Sequence, residues 1–388
     1  MSLNSKLLPI LLLSMLAGCS TLTEQVSTGF GLFGASSAAV KAELPEFKPS
    51  ATVALAWRQQ VSAAGGAVFT PAIGKGGVFA AGQDGQIARF DAGSGSQVWR
   101  IDAGRKLSSG VGVGDNLVLV GTGKGDVLAF DYDGKPLWQA KVTSEVLSAP
   151  QAADDVVVVR TGDGRMFGLD AKDGKRKWVY QRATPTLVLR SYAGAVLTRG
   201  AVLAGFSGGK LAALNLANGN VGWEATVALP RGATELERIA DITSLPVADD
   251  NAVCAVAFQG RVACFELVSG KQLWAREISS VAGLAVDNRY LYVSDASGAL
   301  HALDKSSGAS IWKQDKLLGR QLTAPLVLNG YVAVADYQGY VHFLSRDDGA
   351  YAARIATDGS AAVAPPLSLN GDLLLQTGNG GMFTIKVK

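Results

Sequence analysis

From residue 51 onward the chain is written in short apolar runs separated by polar, Gly-bearing turns. Residues 116–120 (NLVLV), 155–159 (DVVVV), 290–293 (YLYV) and 371–375 (GDLLL) each stand before a Gly. A second run follows that Gly, as in 126–130 (DVLAF) and 299–303 (ALHAL), and gives way to Asp or Asn. Runs of four or five residues bounded by turns are strand-length, too short for helices. The turns at Gln83-Asp84-Gly85 and Asp163-Gly164 supply the positive φ of a tight hairpin, so the two runs are expected to be antiparallel neighbours. Next comes Asp-x-x-x-Gly, at Asp91 to Gly95, Asp170 to Gly174 and Asp304 to Gly308, with Asn215 to Gly219 as its Asn form. There the Asx side chain can accept backbone N–H groups while Gly takes the left-handed position. A third short strand carrying a Trp follows, and a fourth run, often with Pro (Pro150, Pro246, Pro325), leads into the next unit.

The unit repeats through the rest of the chain. Trp57, Trp99, Trp138, Trp178, Trp223, Trp274 and Trp312 are the seven tryptophans of the chain, at intervals of 42, 39, 40, 45, 51 and 38 residues. Gly85, Gly125, Gly164, Gly209, Gly260 and Gly298 precede the last six of them. Gly339 opens a seventh unit with Ala353 at the Trp position, and Gly381 opens an eighth that ends at Lys388 without a Trp strand. Four strands in about 42 residues match one blade of a β-propeller, and residues 51–388 hold eight such units. The expected fold is therefore all-β: eight four-stranded antiparallel blades, with residues 52–57 (TVALAW) completing the last blade and closing the ring. The strict register assigns the Trp series to blade-to-blade packing rather than to a sugar-binding platform.

Composition agrees, with hydrophobic residues at 48% and 47 Gly in 388 positions, enough for a large core cut by many turns. A formal charge of +3 supplies no basic field for nucleic acid. The N-terminus reads differently from the repeat. Lys6, an apolar run over residues 7–16 and the small residues before Cys19 have the layout of a secretory leader, too short to span a bilayer. Leu16-Ala17-Gly18-Cys19 resembles a bacterial lipobox, which implies cleavage after residue 18 and acylation of Cys19. Residues 19–50 then read as a lipidated Cys and flexible tether, and 51–388 as the propeller. Ser20, where inner-membrane-retained lipoproteins typically carry Asp, favours the outer membrane. Cys254 and Cys264 flank a turn, a spacing compatible with a cross-strand disulfide in an oxidising compartment and with two buried thiols.

Candidate chemistry is sparse. His301 and His342 occupy equivalent places in adjacent units and lack the further ligands of a zinc site. Asp131-Tyr132-Asp133-Gly134 hints at a calcium loop but falls on the repeat's own turn and lacks a downstream bidentate Glu. No cofactor, metal or catalytic residue is expected. Length added to the period marks where a partner would bind. The two longest Trp intervals contain residues 185–190 (PTLVLR) and 230–241 (PRGATELERIAD), apolar residues beside charges.

The Ala-x-Asp-x-x-x-Gly-x-x-x-Trp pattern at Ala302 to Trp312, nearly matched at Gly168 to Trp178, resembles the repeat of propellers related to quinoprotein alcohol dehydrogenases. With the lipobox and the two added segments, the chain resembles the BamB family, lipoproteins of the outer-membrane β-barrel assembly machine. That resemblance implies a non-enzymatic scaffold at the periplasmic face of the outer membrane. It also implies binding to the POTRA region of BamA, a place among other members of the Bam complex, and help for nascent outer-membrane proteins. Its contact residues map onto Leu187, Leu189, Arg190 and Asp241, while Thr243 stands where a second acidic residue would be. The competing class is an exported quinone-dependent or sugar-binding propeller. Against the quinone form stand the lack of an adjacent Cys-Cys pair and of an insertion able to roof a cofactor.

Overall fold

In the computed structural model, which describes residues 43–388, the apolar runs are strands that pair in chain order. The expected leader, Cys19 and most of the expected tether lie outside the described residues. Blade 1 joins Ala72–Gly74, Gly77–Ala81, Gln86–Asp91 and Gln97–Asp102, and seven more four-stranded antiparallel sheets complete the eight-bladed propeller. First strands of neighbouring blades touch one another, which places them at the hub. Second strands such as Gly77–Ala81 and Leu117–Gly121 are buried along their whole length, whereas fourth strands such as Gln97–Asp102 are largely exposed. The hydrophobic pattern follows this gradient: a strand covered on both faces reads as a continuous apolar run.

Blade 8 consists of Leu367–Leu369, Asp372–Gln376 and Gly381–Val387, with Val53–Gln60 as its outermost strand. Val53 lies opposite Val387 and Gln60 opposite Gly381, and Thr52 and Lys388 exchange backbone hydrogen bonds of 2.8 and 2.9 Å. The chain's two ends thus close the ring in one sheet.

Each Trp reaches into the next blade. Trp138 Nε1 donates to the Ala171 carbonyl at 2.8 Å, Trp178 to Leu216 at 2.9 Å and Trp274 to Lys305 at 2.8 Å, and the other four indoles make the equivalent bond. The receiver is the Asp-x-x-x-Gly turn. Asp91 Oδ1 accepts from the N–H groups of Gly93 and Ser94, and these donors with the Ser94 hydroxyl hold its carboxyl below the usual value. Gly174 shows why the turn ends in Gly: its φ is +72°, and a Cβ there would lie 2.6 Å from the Trp138 ring. The suspected calcium loop is the same device, with Asp131 Oδ1 accepting from Asp133 and Lys135 N–H.

Ala353 replaces Trp for a topological reason. Its indole would need the turn between the third and fourth strands of blade 8, and no such turn exists because that fourth strand comes from the other end of the chain. Residues 45–51, all but the last expected to belong to the tether, lie against the flanking residues instead. Ser50 and Ala51 N–H donate to the Ala352 carbonyl at 3.0 and 3.2 Å, and Phe47 stacks on Tyr351 with centroids 5.4 Å apart. The Arg354 guanidinium lies 5.4 Å from the Phe47 ring and donates to the Pro45 carbonyl.

The alternative left open for the two cysteines is decided here. Cys254 and Cys264 face each other on the second and third strands of blade 5, Cα atoms 4.1 Å apart, and form a disulfide. The histidines each meet the Asp six residues earlier: His301 with Asp295 at 2.8 Å and His342 with Asp336 at 3.0 Å. Arg320, His342 and Asp336 form a buried network in which the carboxylate also accepts from Arg320 at 2.7 Å. Burial holds the His342 imidazole below its ordinary value, outweighing Asp336, with Arg320 and Arg354 adding to the effect. Burial alone would raise Asp336, but its His342, Tyr340 N–H and Arg320 donors leave it lowered.

Three outcomes are expected. Trp178→Ala should cost about 3–5 kcal/mol in denaturant unfolding, whereas Ala353→Trp should give no gain, because nothing receives the ring. Below pH about 6.5 the unfolded chain binds a proton at His342 that the fold resists, so stability falls with pH, by at most about 1.4 kcal/mol per unit for one group. Thermal midpoints between pH 7.5 and 5.5 should therefore drop less in His342→Gln than in the parent; equal drops would remove His342 as the cause.

Candidate functional site

Links from the fourth strand of one blade to the first of the next lie on the same face of the ring as the turns between second and third strands. Backbone bonds join the two sets, as in Val146 N–H to Thr122 O and Phe258 N–H to Asp241 O. The two additions to the period are such links. Residues 181–195 join blade 3, ending at Arg176–Tyr180, to blade 4, opening at Val196–Thr198. Residues 227–246 join blade 4, ending at Val221–Thr226, to blade 5, opening at Val247–Ala248.

In the first link Leu187 and Val188 are 42% and 43% exposed, Leu189 is partly buried and Arg190 is exposed. Leu187 and Leu189 do not continue a core strand; residues 181–195 form no strand at all. Arg190 donates to Glu145 of the link between blades 2 and 3 at 2.7 Å and lies 5.9 Å from the Tyr192 ring. An exposed pair of this kind is worth about 0.2–1 kcal/mol, so Arg190 can exchange Glu145 for another carboxylate at small cost.

The second link is divided between surface and core. Leu229, Leu236 and Leu245 are exposed, while Ile239, Ala240, Asp241 and Ile242 are buried. Thr234 and Glu237 fold the exposed half back on itself: the Glu237 carboxylate accepts from Ala233 and Thr234 N–H at 2.8 and 3.0 Å, and these donors lower its pKa. This is the Thr-x-x-Glu capping arrangement closing a single turn.

Asp241 corrects the sequence reading. Expected to face a partner, it is 3% exposed. Its Oδ2 accepts from Leu189 N–H at 2.7 Å and its Oδ1 from Gly208 N–H at 2.9 Å. A buried carboxylate is stable only when its lone pairs are filled, and the backbone of the first link fills one of them. Thr243 continues the chain of contacts, accepting from Ser191 through its carbonyl and donating to the Val281 carbonyl in the link between blades 5 and 6.

The structure therefore brings Leu187, Leu189, Arg190 and Asp241 together, with the first three on or at the surface and the fourth beneath. Sequence reasoning missed Glu145 and Val281, which lie in links of unremarkable length where no spacing signal exists, and Tyr192, which follows Arg190 by two residues in the lengthened link. It also missed Arg160, the last residue of the strand Val156–Arg160 in blade 3. Its Nη1 donates to the Ala193 carbonyl at 3.0 Å and its guanidinium lies 5.3 Å from the Phe206 ring. Burial pushes the Arg160 pKa down to about 10, against the opposing pull of Asp241. Among the described residues no three His, Cys, Asp or Glu side chains are grouped to hold a metal ion.

Comparison with known proteins matches this architecture. A family model described as outer membrane protein assembly factor BamB matches residues 83–314. The chain is 44% identical to the outer membrane protein assembly factor BamB of Nitrosomonas eutropha, across 97% of this chain and 93% of that one. It is 31% identical to that of Escherichia coli, across 99% and 100%. The crystal structure of BamB from Moraxella catarrhalis superposes with a TM-score of 0.80 at 26% identity, covering 86% of this chain and all of that one. Quinohemoprotein alcohol dehydrogenase from Comamonas testosteroni, at 13% identity and a TM-score of 0.71 over 86% of this chain and 76% of that one, shares the fold alone. The curated relatives are named for an assembly role, which is not an enzymatic one. By sequence, repeat architecture and fold, the chain belongs to the BamB family of outer membrane protein assembly factors.

Proposed function

We propose that the protein is a scaffold lipoprotein of the outer-membrane protein assembly complex. It is held at the periplasmic face of the outer membrane through acylated Cys19 and binds the POTRA region of BamA with the links at residues 185–190 and 229–245. The observation that carries this reading is the apolar rim itself: Leu187, Val188, Leu229, Leu236 and Leu245 are all more than 40% exposed on two consecutive links. Large apolar side chains grouped on an exposed rim with charges beside them have the composition of a protein interface. Arg190 supplies the charge, and its weak pair with Glu145 is readily given up to an acidic group on the partner. The ring is the rigid frame that presents the rim, and its blades carry no part of the chemistry.

Two measurements test the reading. Leu187→Asp with Arg190→Glu should weaken capture of a purified BamA POTRA fragment by tenfold or more without moving the thermal midpoint, and undiminished capture would reject the site. Cys19→Ser should move the protein from the outer-membrane fraction to the soluble periplasm; a variant still in the membrane fraction would show that something other than acylation holds it there.

A further inference from the structure

The link at residues 181–195 carries the exposed apolar residues, yet its own backbone does little to hold it. Outside the strands, no backbone-to-backbone hydrogen bond among the described residues involves residues 182–195. Such a segment would sample many conformations, and a partner would have to order it on binding. Two charged side chains from outside the link supply what the backbone lacks. Asp241 accepts from Leu189 N–H at 2.7 Å and Arg160 donates to Ala193 O at 3.0 Å, so one fixes the tip and the other the exit. Asp241 also grips Gly208 N–H, in the turn between the second and third strands of blade 4.

We infer that Arg160 and Asp241 are positioning residues: opposite charges, one on blade 3 and one on the link between blades 4 and 5, that each bind the backbone of the partner-binding link and pre-set it without touching the partner. The pair is interdependent. Asp241 is buried, so its charge needs compensation beyond two amide donors, and Arg160 is the cation whose field opposes it. Arg160 is itself partly buried, with its guanidinium 5.3 Å from the Phe206 ring. Removing either charge leaves the other poorly compensated, and both anchor points of the link loosen together. The inference rests on the reading of residues 185–190 as the contact surface, but the clamp can be measured without a partner.

The experiment uses the full mature chain, with backbone amide exchange at Leu189 and Gly208 as one readout and affinity for the BamA POTRA fragment as the other. Asp241→Asn keeps the shape and replaces one acceptor oxygen by a donor. It should raise exchange at Leu189 or Gly208 at least tenfold and weaken binding at least tenfold. Arg160→Met should do the same, and Arg160→Lys, which keeps the charge and a donor, should recover most of both; these two stand in if Asp241→Asn fails to fold. Binding lost with exchange unchanged would mean that Asp241 meets the partner directly, and would overturn the inference. Exchange raised with binding intact would overturn it as well, since the position of the link would then not govern affinity. If Leu187→Asp with Arg190→Glu binds normally, the contact reading fails, while exchange in the Asp241 and Arg160 variants still decides whether the clamp exists.

Discussion

An indole from one blade seated on the Asx-Gly turn of the next is the interaction on which the rest of the structure depends. It couples a hydrophobic face to a directed hydrogen bond, since the ring covers the Gly while Nε1 reaches a carbonyl two to three residues before it, as Trp138 does at Gly174 and Ala171. Neither half would align two twisted sheets alone. Apolar packing tolerates sliding, and a single hydrogen bond tolerates rotation. Together they fix both the separation and the register of neighbouring blades. Seven repetitions locate every sheet but the eighth by the one before it.

The eighth junction shows what the ring does when the device is unavailable. Using the N-terminal strand as the outer strand of blade 8 joins the two chain ends in one sheet, but removes the turn that an indole on blade 7 would need. Ala353 fills the vacated position, and the segment entering blade 8 lies over it, with Phe47 on Tyr351 and the Ser50 and Ala51 amides on Ala352. The aromatic contribution to this junction thus comes from the segment that leads toward Cys19. The chain's route away from the fold begins against blade 7, not at the first residue of the sheet.

The rim obeys a different economy from the ring. A repeating framework can lengthen a link without disturbing the blades, so additions collect where a partner could be met. The lengthened link at 181–195, however, has no backbone bonds of its own past residue 181 to order it, and charged side chains from outside it replace them. Asp241 and Arg160 serve it in this way, while the next link is braced from within by the Thr234–Glu237 turn and its own backbone bonds. The apolar residues are left outside, supported from beneath.

The sequence alone determined the number of blades, their closure by residues 52–57 and the place of each Trp, because these follow from contacts between neighbouring strands and neighbouring repeats. Such contacts recur at a fixed spacing, and a fixed spacing is visible in one dimension. It also marked Leu187 and Arg190, since added length interrupts the period. What it could not determine was which way Asp241 faces, what Arg190 pairs with, whether Cys254 and Cys264 join, or why Phe47 packs where a Trp is missing. Leu189 and Asp241 are 52 residues apart in the chain, and Arg190 and Glu145 are 45 apart. Their meeting depends on the curvature that brings successive links side by side. That curvature belongs to the closed ring as a whole, and a carboxylate is sent inward or outward only once the ring has decided which backbone amides lie beneath it.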